Sequence, residues 1–394
     1  MGTALDVILL LLLVGYVAHG ARRGFSHGLG SILGVAVGGI AGYFLVPMVS
    51  SLIVPTLWRV LACVGVFVGL VAVGHALGAG LGDAIARRIG RTPLAVVDRV
   101  LGAVTGGIVA ALVMSFLAAT ASPLGIPVLS TAIGQSAVLR TITQYTPEPV
   151  QSALARVRSG IVRDAIPSIV DQIGGITANP TTPDVDTDTA VLEQAAQSVL
   201  RITGSATACA QTQSGTGFVI ASERVVTNAH VVAGVTEPVV ETRDGAAYAA
   251  TVVYFDPTGD LAVLAVPHLD ESVLALADPV LGTGDEAVID GFPYGGPFST
   301  SAASVLALGS QQVDDIYGDS ANARTIYTIA ADVEEGDSGG PLLTTDGEVS
   351  GIVFAKSATT SGLGYAIALD ELEPVVEEAS SLTSEVTSGH CVSG

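Results

Sequence analysis

The sequence predicts an α-helical four-span membrane module followed by an all-β double-barrel domain. Apolar segments crowd the chain before residue 122, and short β-branched runs punctuated by Gly and Pro fill it after residue 189. The 394 residues are 49% hydrophobic with a mean hydropathy of +0.60, too apolar for a wholly soluble protein. Charge divides the chain in the same place. All but five of the 16 Lys and Arg lie before residue 184, against only six of the 37 Asp and Glu, within a net charge of −21. A mildly basic apolar half is thus joined to a strongly acidic one. The acidic half disfavours binding to nucleic acid or to anionic membrane surface.

The apolar segments fall at about residues 5–18 and within 24–58, 60–82 and 101–121. The last three are long enough for the roughly 20 residues a crossing needs, and the first is short. A cleaved signal peptide is the rival reading of the first, but Asp6 precedes the apolar run and no Lys or Arg does. Arg22 and Arg23 follow the first segment, and Arg87, Arg88, Arg91 and Arg99 separate the third from the fourth. Basic loops stay cytoplasmic, so both termini and the acidic half are expected outside the cytoplasm. Gly30, Gly34, Gly38 and Gly42 form a small-residue stripe, with Gly65 and Gly69 in segment three and Gly102 and Gly106 in segment four. Such stripes predict close helix packing within the module.

The expected domains are 1–121, a four-helix transmembrane module; 122–188, a juxtamembrane helix and linker; and 189–394, a catalytic domain. Residues 151–171 are amphipathic, and Asn179-Pro180-Thr181-Thr182-Pro183 reads as exposed linker. Strand-like runs follow at 216–220, 250–255, 261–266, 286–289, 325–329 and 349–354.

The chemistry centres on Gly336-Asp337-Ser338-Gly339-Gly340-Pro341. A nucleophilic Ser needs a tight turn whose backbone N–H groups face a developing oxyanion, and glycines permit that turn. Thr227-Asn228-Ala229-His230 and Asp260-Leu261-Ala262-Val263-Leu264 lie upstream. The order His, Asp, Ser is that of the chymotrypsin fold. His230 is the expected general base, Asp260 its orienting carboxylate with Asp256 as rival, and Ser338 the nucleophile. The N–H groups of Gly336 and Ser338 are the expected oxyanion hole. Asp332, Phe354 and Lys356 are the expected substrate-binding residues. Asp332 favours a basic side chain in the primary pocket, whereas Lys356 on the substrate-binding strand is placed to neutralise it.

On these motifs the second half resembles trypsin-like serine proteases. Arg23-Gly24-Phe25 and Asp98-Arg99-Val100-Leu101-Gly102 make the first half similar to the colicin V production protein family. With Ile316-Tyr317-Gly318-Asp319 and Ala331-Asp332-Val333-Glu334 added, the whole chain resembles the MarP-type acid-resistance membrane serine proteases of actinobacteria. The resemblance implies a multi-pass membrane protein with its protease domain on the periplasmic side, cutting envelope proteins under acid stress. It also implies a disulfide between Cys209 and Cys391, which an oxidising compartment permits. Little chain follows Ser338, which disfavours a peptide-binding PDZ domain and hence the HtrA-type architecture. The expected partners are protein or peptide substrates and the lipid bilayer, with no cofactor and no metal. The alternative from another class is a catalytically inactive, membrane-tethered peptide-binding sensor.

Overall fold

A computed structural model describes residues 2–52, 56–121, 132–133, 136–159, 168–169, 180–206 and 211–392. The chain divides into two compact units, Asp6–Ser115 and, with the first five residues, Phe116–Gly394.

The first unit is built from four helices, α1 (Gly2–Arg23), α2 (Phe25–Leu52), α3 (Thr56–Ile89) and α4 (Ala95–Ala121). Three spans among the described residues are long and apolar enough to cross a membrane: Leu5–Arg23, Val68–Ile89 and Ala95–Ala118. Helix α2 is 28 residues long, and its fully described part, Phe25–Ala41, is a shorter apolar helix, so the fourth expected span is not tested among the described residues. The first segment, short in sequence, gains its length by continuing helical through His19 to Arg22 and Arg23. Those cations sit at the negative end of the helix dipole, where positive charge is favoured.

Missing side chains hold α2 to α3. A methyl group added at Gly34 would strike the Gly74 carbonyl, one at Gly30 the Gly78 carbonyl, and one at Gly38 the Leu70 carbonyl. Gly30, Gly34 and Gly38 of the stripe therefore pack within the unit, and the surroundings of Gly42 lie outside the described residues. The stripe's partners on α3 are Gly74, Gly78 and Gly82, not the expected Gly65 and Gly69, which have open space beside them. On α4, Gly102 and Gly106 approach α1 at Gly20 and Tyr16.

The second unit begins with α5 (Ala137–Tyr145), α6 (Glu148–Ser159) and a two-residue strand, β1 (Ser168–Ile169). The amphipathic stretch read as 151–171 is thus helical only to Ser159 in its described part. Thr189 caps α7 (Ala190–Ala196) by accepting from the Leu192 N–H at 3.3 Å.

Two seven-stranded sheets follow. The first contains β2 (Val199–Ala206), β3 (Gln211–Ala221), β4 (Arg224–Thr227), β5 (Val239–Glu241), β6 (Ala247–Ala249), β7 (Thr251–Asp256) and β8 (Leu261–Ala265), in the order β6-β5-β2-β3-β4-β8-β7. One-turn helix α8 (Ala229–Val232) follows β4. The second contains β9 (Glu286–Gly291), β10 (Ser299–Asp314), β11 (Ala321–Ala330), β12 (Pro341–Leu343), β13 (Val349–Ser357) and β14 (Leu363–Ala368). Because β13 pairs with both β12 and β14, those six strands close into an antiparallel barrel, and β1 adds alongside in parallel. One apolar core cluster draws Phe218, Val226 and Val263 from the first sheet and Leu343, Ile352 and Ile367 from the second. After α9 (Leu369–Glu378) the tail returns to the first sheet, where the Val386 N–H donates to the Val252 carbonyl at 2.9 Å.

Candidate active site

The first sheet supplies a His–Asp pair. His230 sits in α8, and Asp260 heads β8 with φ +55°, a left-handed conformation that costs a non-glycine residue energy. Hydrogen bonds hold it there. Asp260 Oδ1 accepts from the His230 N–H at 2.9 Å, and Asn228 Nδ2 donates to the Asp260 carbonyl at 2.9 Å. His230 Nδ1 lies 2.8 Å from Asp260 Oδ2 and 3.0 Å from Oδ1. With its proton on Nδ1, the neutral ring presents the Nε2 lone pair. Nε2 is buried and has no hydrogen-bond partner among the described residues. The rival Asp256 accepts from the Thr258 N–H at 2.9 Å and closes a turn instead.

The second sheet supplies the serine loop. Gly336 has φ +98°, and a Cβ there would strike the Phe292 carbonyl, so only glycine fits. Ser338 is 2% exposed, and its Oγ points to the Phe354 carbonyl at 3.4 Å, a long bond. No Ser338–His230 hydrogen bond is formed. The N–H groups of Gly336 and Ser338 donate to no group among the described residues.

Sequence reasoning missed Thr216, which joins the two sheets. Its N–H donates to the Ser338 carbonyl at 2.8 Å, and its Oγ1 donates to the Gly336 carbonyl at 2.6 Å while accepting from the Phe292 N–H at 3.0 Å. Its position directly before Gly217-Phe218 in an apolar run was the only available signal. Arg324 was also missed. It is 4% exposed on β11, donates to the Asp314 carbonyl at 3.0 Å, and lies over the Phe354 ring at 5.5 Å.

Of the expected specificity residues, Phe354 and Lys356 lie on β13, and the Phe354 carbonyl faces Ser338. Asp332 is exposed beside Gly362. Lys356 does not neutralise it. Its Nζ faces Glu334 Oε2 at 4.0 Å, because β13 runs past the serine loop. Glu334 Oε2 also accepts from the Tyr294 hydroxyl at 2.6 Å. Burial, then that carboxylate, pushes the Tyr294 phenol above its ordinary range. Beyond Ile352, β12 no longer covers β13, and there β1 pairs Ser168 with Lys356 while β14 holds the opposite edge through Gly364. Burial drives Asp337 up to about 7, against the Glu334 N–H donating to its Oδ2 at 2.9 Å. Burial likewise drives Asp290, on β9, up to about 6. The described residues contain no cluster of His, Cys, Asp and Glu fit to hold a metal.

Paired antiparallel sheets with a His–Asp pair on one and a Gly-Asp-Ser-Gly loop on the other define the chymotrypsin-like serine protease class. The comparisons agree. The trypsin-like peptidase domain family matches residues 215–352, and the colicin V production protein family matches 5–147. Serine protease Rv3671c of Mycobacterium tuberculosis strain H37Rv is 33% identical over 399 residues, spanning 99% of this chain and 98% of that protein. The crystal structure of the Rv3671c protease from M. tuberculosis in its active form superposes with TM-score 0.53 and 38% identity, covering 57% of this chain and all of that one. Serine protease Do-like HtrA of Bacillus subtilis strain 168 is 32% identical over only 42% of this chain and 39% of that protein. The chain belongs to the serine protease family that includes Rv3671c, with a colicin V production protein-like module preceding a trypsin-like peptidase domain.

Proposed function

We propose that the chain is a membrane-anchored extracytoplasmic endopeptidase whose triad is His230, Asp260 and Ser338. The observation that carries this reading is the buried His230–Asp260 pair with an unpartnered Nε2, paired with a serine loop whose Gly336 and Ser338 N–H groups are free. The side chain of Ser338 rotates from the Phe354 carbonyl toward Nε2. His230 takes the hydroxyl proton as Oγ attacks the scissile carbonyl, and Asp260 holds the imidazolium that forms. The two free N–H groups receive the oxyanion, each worth about 2.7–4 kcal/mol of barrier. His230 then protonates the leaving amine, and water releases the acyl group by the reverse proton path. At Lys356–Ser357 β13 carries an extended segment, β1, along its edge, which supports a peptide substrate pairing there in place of β1.

The helices of the first unit anchor the enzyme, and the arginines between them favour a cytoplasmic location for those loops and an outer location for the protease. Substrates are envelope proteins, cut under acid or other stress. This finer reading is supported by the whole-length likeness to Rv3671c. A Cys209–Cys391 disulfide is supported by Cys391, which is not a free thiol and lies against Gly234 of the first sheet's loops; Cys209 lies outside the described residues. The boundaries 1–121, 122–188 and 189–394 are our assignment. The test is peptide hydrolysis by the full chain and by Ser338→Ala, alongside reporters fused after Gly394 and near Arg88. Activity in Ser338→Ala contradicts the triad, and an active cytoplasmic reporter after Gly394 contradicts the orientation.

A further inference from the structure

The helical unit carries a pocket of about 240 Å³ where α1 ends and α2 begins. Four arginines line it: Arg22 and Arg23 from the last turn of α1, Arg87 from the last turn of α3, and Arg99 from the start of α4. Two carboxylates line it as well, and both are already engaged. Asp98 Oδ1 accepts from the Ser26 N–H at 3.0 Å and from its hydroxyl at 2.7 Å, holding the first turn of α2. Asp83 Oδ1 lies 2.7 Å from His27 Nδ1, and its Oδ2 faces Arg23 at 3.9 Å. Among the described residues, Arg22, Arg87 and Arg99 form no ion pair. The pocket therefore holds more positive charge than its own acids balance, converging from three helices on one space.

We propose that this pocket binds the phosphate of an anionic phospholipid headgroup. Guanidinium forks match phosphate oxygens two at a time, and such contacts are stronger than neutral hydrogen bonds. The position selects the lipid over a soluble phosphate. The three contributing helices each contain a candidate span, so their ends lie at the membrane–water boundary. Exposed apolar side chains occupy the same turns as the lining residues: Ile85 beside Ala86, and Val96 and Val97 between Ala95 and Asp98. Acyl chains gain from that surface, and a free phosphate does not. A role in topology alone requires basic residues in the loop, not their convergence on one pocket. The proposal rests on the reading of these helices as spans.

The test uses the full chain in nanodiscs of three parts phosphatidylcholine to one part phosphatidylglycerol, with retained lipid read by native mass spectrometry. One phosphatidylglycerol per chain is expected, retained in preference to phosphatidylcholine. Arg22→Gln with Arg99→Gln should lower that retention about tenfold, while Arg22→Lys with Arg99→Lys, which keeps the charge but loses the forks, should fall between. Helical circular dichroism and peptide hydrolysis report that each variant is folded. Equal retention of both lipids, or unchanged retention in the Gln variant, overturns the proposal. Displacement by millimolar inorganic phosphate or ATP also overturns it, because the site then serves a soluble phosphate. Release of the chain from membranes by alkaline carbonate contradicts the spanning reading itself, a failure separate from the lipid result.

Discussion

In the first sheet His230 already meets Asp260 at 2.8 Å, whereas in the second Ser338 Oγ turns 3.4 Å to the Phe354 carbonyl and leaves Nε2 without a partner. The difference follows from how each half is held. Asp260 is fixed by bonds from residues beside its own sheet, its Oδ1 accepting from the His230 N–H and its carbonyl from the Asn228 side-chain amide, so the His–Asp pair is held on one side of the domain. Ser338 sits on a loop whose shape depends on the other sheet through Thr216. The His–Asp pair is thus a property of one sheet, and the position of Ser338 a property of the junction. A serine that completes its bond only when substrate fills the cleft is consistent with catalytic contacts that tighten in the Michaelis complex.

The largest expected effect breaks the finished half. His230→Ala should lower kcat for peptide hydrolysis by about 10⁴- to 10⁶-fold, and His230→Ala with Ser338→Ala should be little worse, since triad members act as a unit. Additive losses in the double variant would separate the two residues. Asp260→Asn should cost about 10⁴-fold by presenting the wrong imidazole tautomer, with the fold intact. Activity surviving in Asp260→Asn would return Asp256 to consideration.

Thr216→Val tests the junction. It keeps the size and the N–H bond to Ser338 but removes the hydroxyl that supports Gly336 and Phe292. Losing a buried hydrogen bond leaves partners unsatisfied at roughly 1–3 kcal/mol, so kcat should fall about 10- to 100-fold. KM should change little. A pure KM effect would show that Thr216 shapes substrate binding and not the serine loop.

How much of this was legible follows from where each constraint lives. Gly336-Asp337-Ser338-Gly339 was readable because the turn's demand for positive φ is local to it. The contact of His230 with Asp260 and not Asp256 follows from position, because a residue heading a strand run differs visibly from one closing a turn. The stripe of Gly30, Gly34 and Gly38 was readable because period and small size are sequence properties. Its partners were not, since only the crossing of α2 on α3 selects Gly74, Gly78 and Gly82 over Gly65 and Gly69. Thr216 and Arg324 were illegible because their roles are set by other strands. The partner of Lys356 was illegible for the same reason, as the closed barrel carries it to Glu334 and leaves Asp332 exposed.

The smallest effects concern pH. Asp290 and Asp337 have folded pKa values raised to about 6 and about 7, above their ordinary carboxylate range. The folded state therefore binds their protons more tightly than the unfolded state, and the stability they contribute is present at acid pH and lost as pH rises through those values. Amide exchange at β9, corrected for its intrinsic rate, should show less protection at pH 7.5 than at pH 5. Asp290→Asn should remove part of that fall. A steeper fall in the Asn variant would contradict the sign.

The central claim is that His230 activates Ser338 once the serine turns from Phe354. A fluorophosphonate probe tests this most directly, because it reacts only with an activated serine. Peptide mapping should place the adduct on Ser338 in the full chain, with labelling at least about 10³-fold slower in His230→Ala. An unlabelled Ser338, or a rate indifferent to His230, would contradict the account.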